Sequence, residues 1–379
     1  MKYKFLVVFS FLLTCTTFCN SQTTIIDSII SNGIYRFYRL YVPKNYDNNK
    51  PYPLIFNLHG YTSNALKQQY YSNFMPIADT AQFLTVYPQG TTYKGITYWN
   101  ASLDPTGAND VLFISNLIDS LALKYKIDLA SVYSCGMSLG GFMSYTLACS
   151  LNHRVAAIAS VGGTFFRQYF INCKPDRAIP TMEIHGTGDV IVPYNGNSSM
   201  LGIDTVVSYW VKNNECVSPA IFEQLPDINS NDKSTVEHYV YEAKQPHGST
   251  CELYKIINGG HTWPGAPIIL LPGQVMNQDF NASNKIWLFF RKYKLNITTG
   301  ITQTKNLKSV SKIYPNPCID ILTVEGDKIK QLIIVDLTGR VILETTEKYL
   351  NISNFKKGVY SLRINYENNN YEIKKLVKL

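Results

Sequence analysis

Between residues 22 and 296, apolar runs of strand length recur at Pro53 to Leu58, Ala130 to Tyr133, Ile179 to Ile184 and Leu253 to Ile257, each followed by a glycine-bearing polar turn. Helix-like stretches lie between them: one opened by Asn109-Asp110-Val111, one from Phe142 to Ala148, and one that Asp204 begins and Cys216 ends. Strands alternating with helices predict an α/β fold. After Tyr293 the pattern changes. Leu295 to Val310 is rich in Thr, Asn, Ser and Lys without a helical period, the composition of a linker. Short alternating segments follow at Ile319 to Glu325, Gln331 to Asp336, Val341 to Thr345, Val359 to Tyr366 and Tyr371 to Val377. Their period of two predicts a small all-β sandwich. The expected organisation is an N-terminal leader (1–21), an α/β domain (22–296), a linker (297–310) and a β-sandwich (311–379).

The turn after Tyr133 carries candidate chemistry. Cys135-Gly-Met-Ser138-Leu-Gly-Gly141 joins a strand to a helix, the setting that a G-x-S-x-G nucleophile elbow requires. Glycines on both flanks permit the sharp turn that exposes a serine hydroxyl above the sheet, which makes Ser138 the candidate nucleophile. A chance glycine-rich turn would share this local pattern, so the later turns decide. In an α/β-hydrolase the acid and then the histidine follow the serine, each after a further strand. Asp189 ends His185-Gly-Thr-Gly-Asp189, and His261 sits in Gly259-Gly-His261-Thr-Trp-Pro-Gly265. A serine hydroxyl is a weak nucleophile until an imidazole takes its proton, and a carboxylate orients that imidazole. His59 and His185 precede Asp189 beside glycines and suit structural hydrogen bonding; His153 follows a helix, His238 lies mid-strand and His247 in a polar turn. Asp176 precedes its strand and Asp204 begins a helix, which leaves Asp189 at the right sheet edge. The oxyanion donors expected are the backbone N–H of Leu139, next to the nucleophile, and that of Tyr61, in the loop after Leu58.

Taken together, Leu58-His-Gly60, Asn109-Asp-Val111, the Ser138 elbow, His185-Gly-Thr-Gly-Asp189 with Val192-Pro-Tyr194, and Gly259-Gly-His-Thr-Trp-Pro-Gly265 resemble the secreted esterases called polyhydroxybutyrate depolymerase-like or LpqC-like. These overlap with the feruloyl and acetylxylan esterases of carbohydrate esterase family 1. The resemblance spans roughly Ile34 to Tyr293 and implies an α/β-hydrolase fold with Ser138, Asp189 and His261 as the triad. Many relatives carry cysteine where this chain has Tyr61, a departure that bears on loop packing and substrate preference. In the tail, Ile313-Tyr-Pro-Asn-Pro317, Asp336-Leu-Thr-Gly-Arg-Val341, Gly358-Val-Tyr360 and Lys374-Lys-Leu-Val-Lys378 resemble the type IX secretion C-terminal sorting domain. That implies recognition by the type IX secretion machinery and delivery to the cell surface or beyond. A carbohydrate-binding module is the rival, but few exposed aromatics are expected on its strands.

The amino end agrees with export. Lys2 and Lys4 precede an apolar run from Phe5 to Leu13, too short to span a bilayer, with small residues at Cys19-Asn-Ser21: the pattern of a signal peptide. A lipoprotein reading through Cys15 or Cys19 is a looser match. No other stretch reaches membrane-spanning length. Export implies an oxidising compartment for the six remaining cysteines. The expected topology brings Cys149 near Cys173 and Cys216 near Cys251, with Cys135 a buried thiol and Cys318 alone. No Cys/His spacing suggests a metal site, and no cofactor is implied. The net charge of +8 is spread without a basic block, which argues against a nucleic-acid partner.

Trp263, Trp99 and Tyr98 are the candidate substrate contacts, beside Tyr93 and the apolar loop Ala266 to Pro272. The function expected is a secreted serine carboxylic-ester hydrolase working through an acyl-enzyme, releasing feruloyl or acetyl groups from plant hemicellulose such as xylan. The alternatives are a polyhydroxyalkanoate or related polyester depolymerase and, in another class, a non-catalytic surface polysaccharide-binding protein on a hydrolase fold.

Overall fold

Continuous apolar runs become strands covered on both faces. Tyr52–Leu58, Ala157–Val161 and Thr181–Gly186 are buried along almost their whole length. The computed structural model describes residues 23–244, 248–296, 311–336, 341–367 and 371–379. The expected leader, the linker, His247 and most of the Asp336 to Val341 turn lie outside the described residues.

The chain divides into two compact units, Met1–Ile297 and Thr298–Leu379. In chain order the strands of the first are β1 (Thr23–Ser31), β2 (Ile34–Val42), β3 (Tyr52–Leu58), β4 (Leu84–Pro88), β5 (Thr91–Tyr93), β6 (Ile96–Tyr98), β7 (Ile127–Met137), β8 (Ala157–Val161), β9 (Thr181–Gly186), β10 (Ile221–Gln224), β11 (Thr235–Tyr241) and β12 (Cys251–Ile257). Its α-helices are α1 (Ala65–Ser72), α2 (Met75–Ala81), α3 (Asp110–Lys124), α4 (Leu139–Ser150), α5 (Arg167–Phe170), α6 (Ile203–Asn213) and α7 (Ala282–Phe290). Ten strands form one sheet in the order β1-β2-β4-β3-β7-β8-β9-β12-β11-β10. The run from β4 to β12 is parallel, with antiparallel strands added on either side. β5 and β6 form a separate hairpin.

Each face of the sheet has its own apolar cluster. Phe113, Leu117, Tyr145 and Trp210 belong to one, and Phe74, Phe83, Trp263 and Phe290 to the other. Helix ends are fixed locally: the Asn64, Asn109 and Asn281 side chains each accept a backbone N–H from the first turn of the helix they precede. Cys149 and Cys173 are joined, tying the end of α4 to the segment after α5. The second expected pair is a correction. Cys216 and Cys251 remain free thiols, because the Cys216 Sγ points to the Ser249 carbonyl at 3.0 Å. Among the described residues Cys135 and Cys318 are also free and buried.

The second unit holds a three-stranded sheet, β13 (Ser311–Tyr314), β14 (Ile321–Gly326) and β17 (Tyr349–Asn351), in the order β13-β14-β17. A four-stranded sheet runs β16 (Val341–Thr345), β15 (Ile329–Val335), β18 (Gly358–Tyr366) and β19 (Tyr371–Lys378). Leu322, Val324, Ile334, Leu350, Leu362 and Leu376 share its core. β13 and β17, which the pattern did not announce, are too short to show a period.

Candidate active site

Four parallel strands deliver their following loops to one edge of the sheet, the carboxyl edge where α/β folds place their sites. β3 leads to His59-Gly-Tyr61, β7 to Ser138, β9 to Asp189 and β12 to His261. Ser138 is half-buried at φ 55° and ψ −123°, a conformation that costs a non-glycine residue of order 1–3 kcal/mol and persists only where its surroundings hold it. What holds it is close packing. A Cβ on Gly140 would lie 2.1 Å from the Leu58 carbonyl oxygen, so the first turn of α4 can sit on the end of β3 only with glycine there. The Ser138 N–H donates to the Val161 carbonyl at 2.8 Å.

His261 Nδ1 lies 2.6 Å from Asp189 Oδ2, and both side chains are buried. The other Asp189 oxygen accepts the N–H groups of Ile191 and Val192 at 2.9 and 2.8 Å, so the carboxylate cannot swing away. The His261 N–H donates to Gln274 Oε1 at 2.8 Å. Gly162, at φ 58°, lets its chain pass the imidazole: a Cβ there would lie 3.3 Å from His261 Nδ1. Ser138 and His261 line one cavity with Gly60 and Tyr61. The Leu139 N–H opens α4 and has no intrahelical acceptor. In the facing loop the N–H groups of Thr62 and Ser63 are taken by Thr97 and Gly60. Among the described residues no acceptor is found for that of Tyr61.

His59 is structural, as its position suggested. Nδ1 faces the Gly60 carbonyl at 2.8 Å and so carries the proton, while Nε2 accepts from the Gly90 N–H at 3.0 Å. Burial lowers its pKa to about 4. His153 is exposed, and His238, on β11, stacks on Tyr254 with centroids 4.0 Å apart.

Two cavities meet at Ser138. The smaller, about 180 Å³, is lined by His261, Thr62, Ser63, Lys67, Gln68, Tyr71, Leu270 and Leu271. The larger, about 490 Å³, has aromatic walls in Tyr93, Tyr98, Trp99, Phe142 and Phe166, with polar Asn100, Ser102, Asp104 and Thr106. Tyr98 and Trp99 line it as expected, although Trp99 is buried with its Nε1–H on the His59 carbonyl at 2.9 Å. Asp110 anchors this wall: it accepts the Asn100 N–H at 2.7 Å and pairs with buried Arg36 at 2.5 Å. Trp263 requires correction. Its indole is fully buried, Nε1 donates to Ser283 Oγ on α7, and its backbone N–H donates to the Tyr71 hydroxyl. Sitting two residues from His261, it anchors the histidine loop to the core instead of facing the cleft. Phe142, Phe166, Met200, Lys67 and Gln68 escaped the sequence reading because no local motif marks them.

The sheet order, the strained elbow and the carboxyl-edge loops define the class of the first unit: an α/β-hydrolase, followed by a small β-sandwich. Residues 312–379 match the family "Secretion system C-terminal sorting domain", which marks the chain for type IX secretion to the extracellular space or cell surface. Homologues of the first unit are feruloyl and acetylxylan esterases of carbohydrate esterase family 1. The chain is 32% identical over 171 residues to the bifunctional acetylxylan esterase/xylanase of Neocallimastix patriciarum, covering 45% of this chain and 24% of that protein. It is 29% identical over 204 residues to feruloyl esterase C of Emericella nidulans, covering 52% and 68%. It is 27% identical over 222 residues to feruloyl esterase B of Piromyces equi, covering 58% and 39%. The chain thus spans well under half the length of two of these relatives. Among solved structures, acetyl xylan esterase from Aspergillus awamori superposes with a TM-score of 0.51 at 16% identity, covering 72% of this chain and 99% of that one, a likeness of fold. Among the described residues no helix is long and apolar enough to cross a membrane.

Proposed function

We propose that this chain is a secreted serine carboxylic-ester hydrolase with Ser138 as nucleophile, His261 as general base and acid, and Asp189 orienting the imidazole. The observation that carries it is the meeting, on one cleft, of a serine at a strained elbow, a histidine bound to a buried carboxylate at 2.6 Å, and two backbone N–H groups for which no acceptor is found among the described residues. Ser138 Oγ attacks the ester carbonyl as His261 Nε2 takes its proton. The oxyanion is held by the Leu139 and Tyr61 amides. His261 returns the proton to the departing alcohol, leaving an acyl-serine, which water deprotonated by the same histidine then hydrolyses.

The histidine protonates the leaving group, so the alcohol departs through the cavity that His261 lines and the acyl group occupies the other. An aromatic-walled acyl cavity of about 490 Å³ suits a feruloyl group and accommodates acetyl, which together with the relatives' names supports feruloyl or acetyl release from xylan. A polyester substrate is the second reading, favoured by the exposed run Ile268 to Leu271 beside the His261 cavity. The full chain is assayed on methyl ferulate, acetylated xylan, a polyhydroxybutyrate film and p-nitrophenyl acetate, each beside Ser138→Ala. Ferulate or xylan-acetate release that vanishes in the variant supports the first reading, and film clearing alone the second. Silence across the panel by a folded protein overturns both and favours a binding role.

A further inference from the structure

Behind Asp189 lies a buried titratable pair that the mechanism above does not use. Glu183 and His185 both sit in β9, two residues apart and therefore on the same face of the strand, and both are essentially inaccessible. His185 Nδ1 is 2.9 Å from Glu183 Oε1, and Nε2 is 2.8 Å from the Val192 carbonyl and 3.5 Å from Asp189 Oδ2. A carbonyl only accepts, so Nε2 carries a proton. Nδ1 faces a carboxyl group whose other oxygen accepts the Tyr145 hydroxyl at 2.6 Å. One more proton is therefore shared between Glu183 and Nδ1. The two ring nitrogens thus face the Glu183 and Val192 oxygens at hydrogen-bond distance, while Asp189 Oδ2, 3.5 Å from Nε2, is close enough to feel the ring's charge.

Resting on the hydrolase reading, we propose that His185 is a positioning residue: held as imidazolium by Glu183, it presents a fixed positive charge to the rear of the Asp189 carboxylate. Behind the catalytic histidine, Glu183, His185 and Asp189 then alternate in sign. Burial opposes charge on His185, but its hydrogen bond and attraction to Glu183 outweigh that and raise its pKa. Other charged or titratable groups face the pair from each packed element. From α4, Tyr145 is kept neutral by its burial. From β12, Cys251 is likewise held as a thiol by burial, and Lys255, paired in register with His185, turns to Glu237 at 3.6 Å. From the loop after β9, Tyr194 meets the His185 ring edge-on at 6.0 Å and donates its hydroxyl to Asp204 of α6 at 2.6 Å. None of these supplies a competing cation within bonding distance of Asp189.

The consequence concerns the pH range of catalysis. A cation behind Asp189 offsets part of the negative charge that the carboxylate presents to the His261 imidazole. Removing that cation moves the acid limb of kcat/KM to higher pH, by about one unit for a single charge at this range. The experiment compares wild type, His185→Gln and Glu183→Gln in the full chain: pH profiles of p-nitrophenyl acetate hydrolysis, with histidine side-chain ¹⁵N NMR assigned by through-bond correlation to the backbone. The expected result is an acid limb displaced upward in His185→Gln, a doubly protonated His185 at pH 7 in wild type, and loss of its second proton in the near-isosteric Glu183→Gln. An unmoved limb in a folded His185→Gln, or a singly protonated His185 in wild type, overturns the proposal. If His185→Gln fails to fold, Glu183→Gln decides: a His185 that stays doubly protonated there also overturns it. The NMR readout does not depend on hydrolysis, so an inactive wild type would refute the hydrolase reading while the charge state of His185 is still decided.

Discussion

The carboxyl edge of the large sheet and the core of the C-terminal sandwich are both densely packed, yet they differ in what they bury. At the sheet edge, His59, Glu183, His185, Asp189 and His261 are all buried, and each has hydrogen-bond partners within about 3 Å. In the sandwich, the only buried polar side chains among the described residues are Ser311 and Lys378, around a core of Leu322, Ile334, Leu362 and Leu376. Buried polar groups cost stability unless fully partnered, so the hydrolase unit retains an expense that the sandwich avoids. The difference teaches that one region is arranged for electrostatics and the other for packing alone, as fits a module read from outside by secretion machinery.

Substitutions can break or sharpen this contrast. Asp189→Asn should show the largest effect: it keeps the shape of the side chain while losing the charge that orients His261, so turnover of p-nitrophenyl acetate should fall roughly 10⁴-fold. Retention of more than a tenth of wild-type turnover would contradict the electrostatic account. In the sandwich, Leu362→Ala removes a fully buried side chain and should destabilise that unit by about 2–5 kcal/mol, read as an earlier urea transition of the tail with esterase turnover unaltered. A loss of turnover alongside it would mean the two regions are not energetically separate.

A third expectation concerns pH. His59 has its pKa lowered from 6.5 to about 4 by burial. The unfolded chain therefore binds this proton first as pH falls, and the stability associated with a neutral buried His59 is complete above pH 6.5 and is lost progressively towards pH 4. That amounts to about 3 kcal/mol, visible as a falling urea midpoint of the hydrolase unit between pH 7 and pH 4; a flat midpoint would count against it. The smallest effect is expected for Trp263→Phe, which keeps an aromatic ring in the core but loses the bond to Ser283. A cost of about 1 kcal/mol in stability with KM unchanged is expected, whereas a raised KM would return Trp263 to the substrate cleft.

Much of this molecule could be read from short-range pattern. Unbroken apolar runs marked β3, β7, β9 and β12, alternation marked β14, β15, β16, β18 and β19, and glycine-flanked turns marked Ser138, Asp189 and His261, because strands, turns and elbows obey rules a few residues long. The Cys149–Cys173 bond followed from the same topology, since helix ends and strand starts fall on the edge of the sheet opposite the site.

What the sequence by itself determined was therefore the fold class and the residues standing at the carboxyl ends of the strands. Only the tertiary structure decided which way side chains turn once there. Trp263 is drawn into the core by Tyr71 and Ser283, partners 192 and 20 residues away. Cys216 turns to a carbonyl 33 residues on rather than to a second sulfur. Glu183 finds its hydroxyl donor on a helix 38 residues earlier, and the two cavities beside Ser138 are walled by residues from Gly60 to Leu271. The physical reason is common to all four: a periodic pattern specifies that a position is buried, but the partner that satisfies a buried polar group, or fills the space beside it, is set by where distant segments of the chain meet.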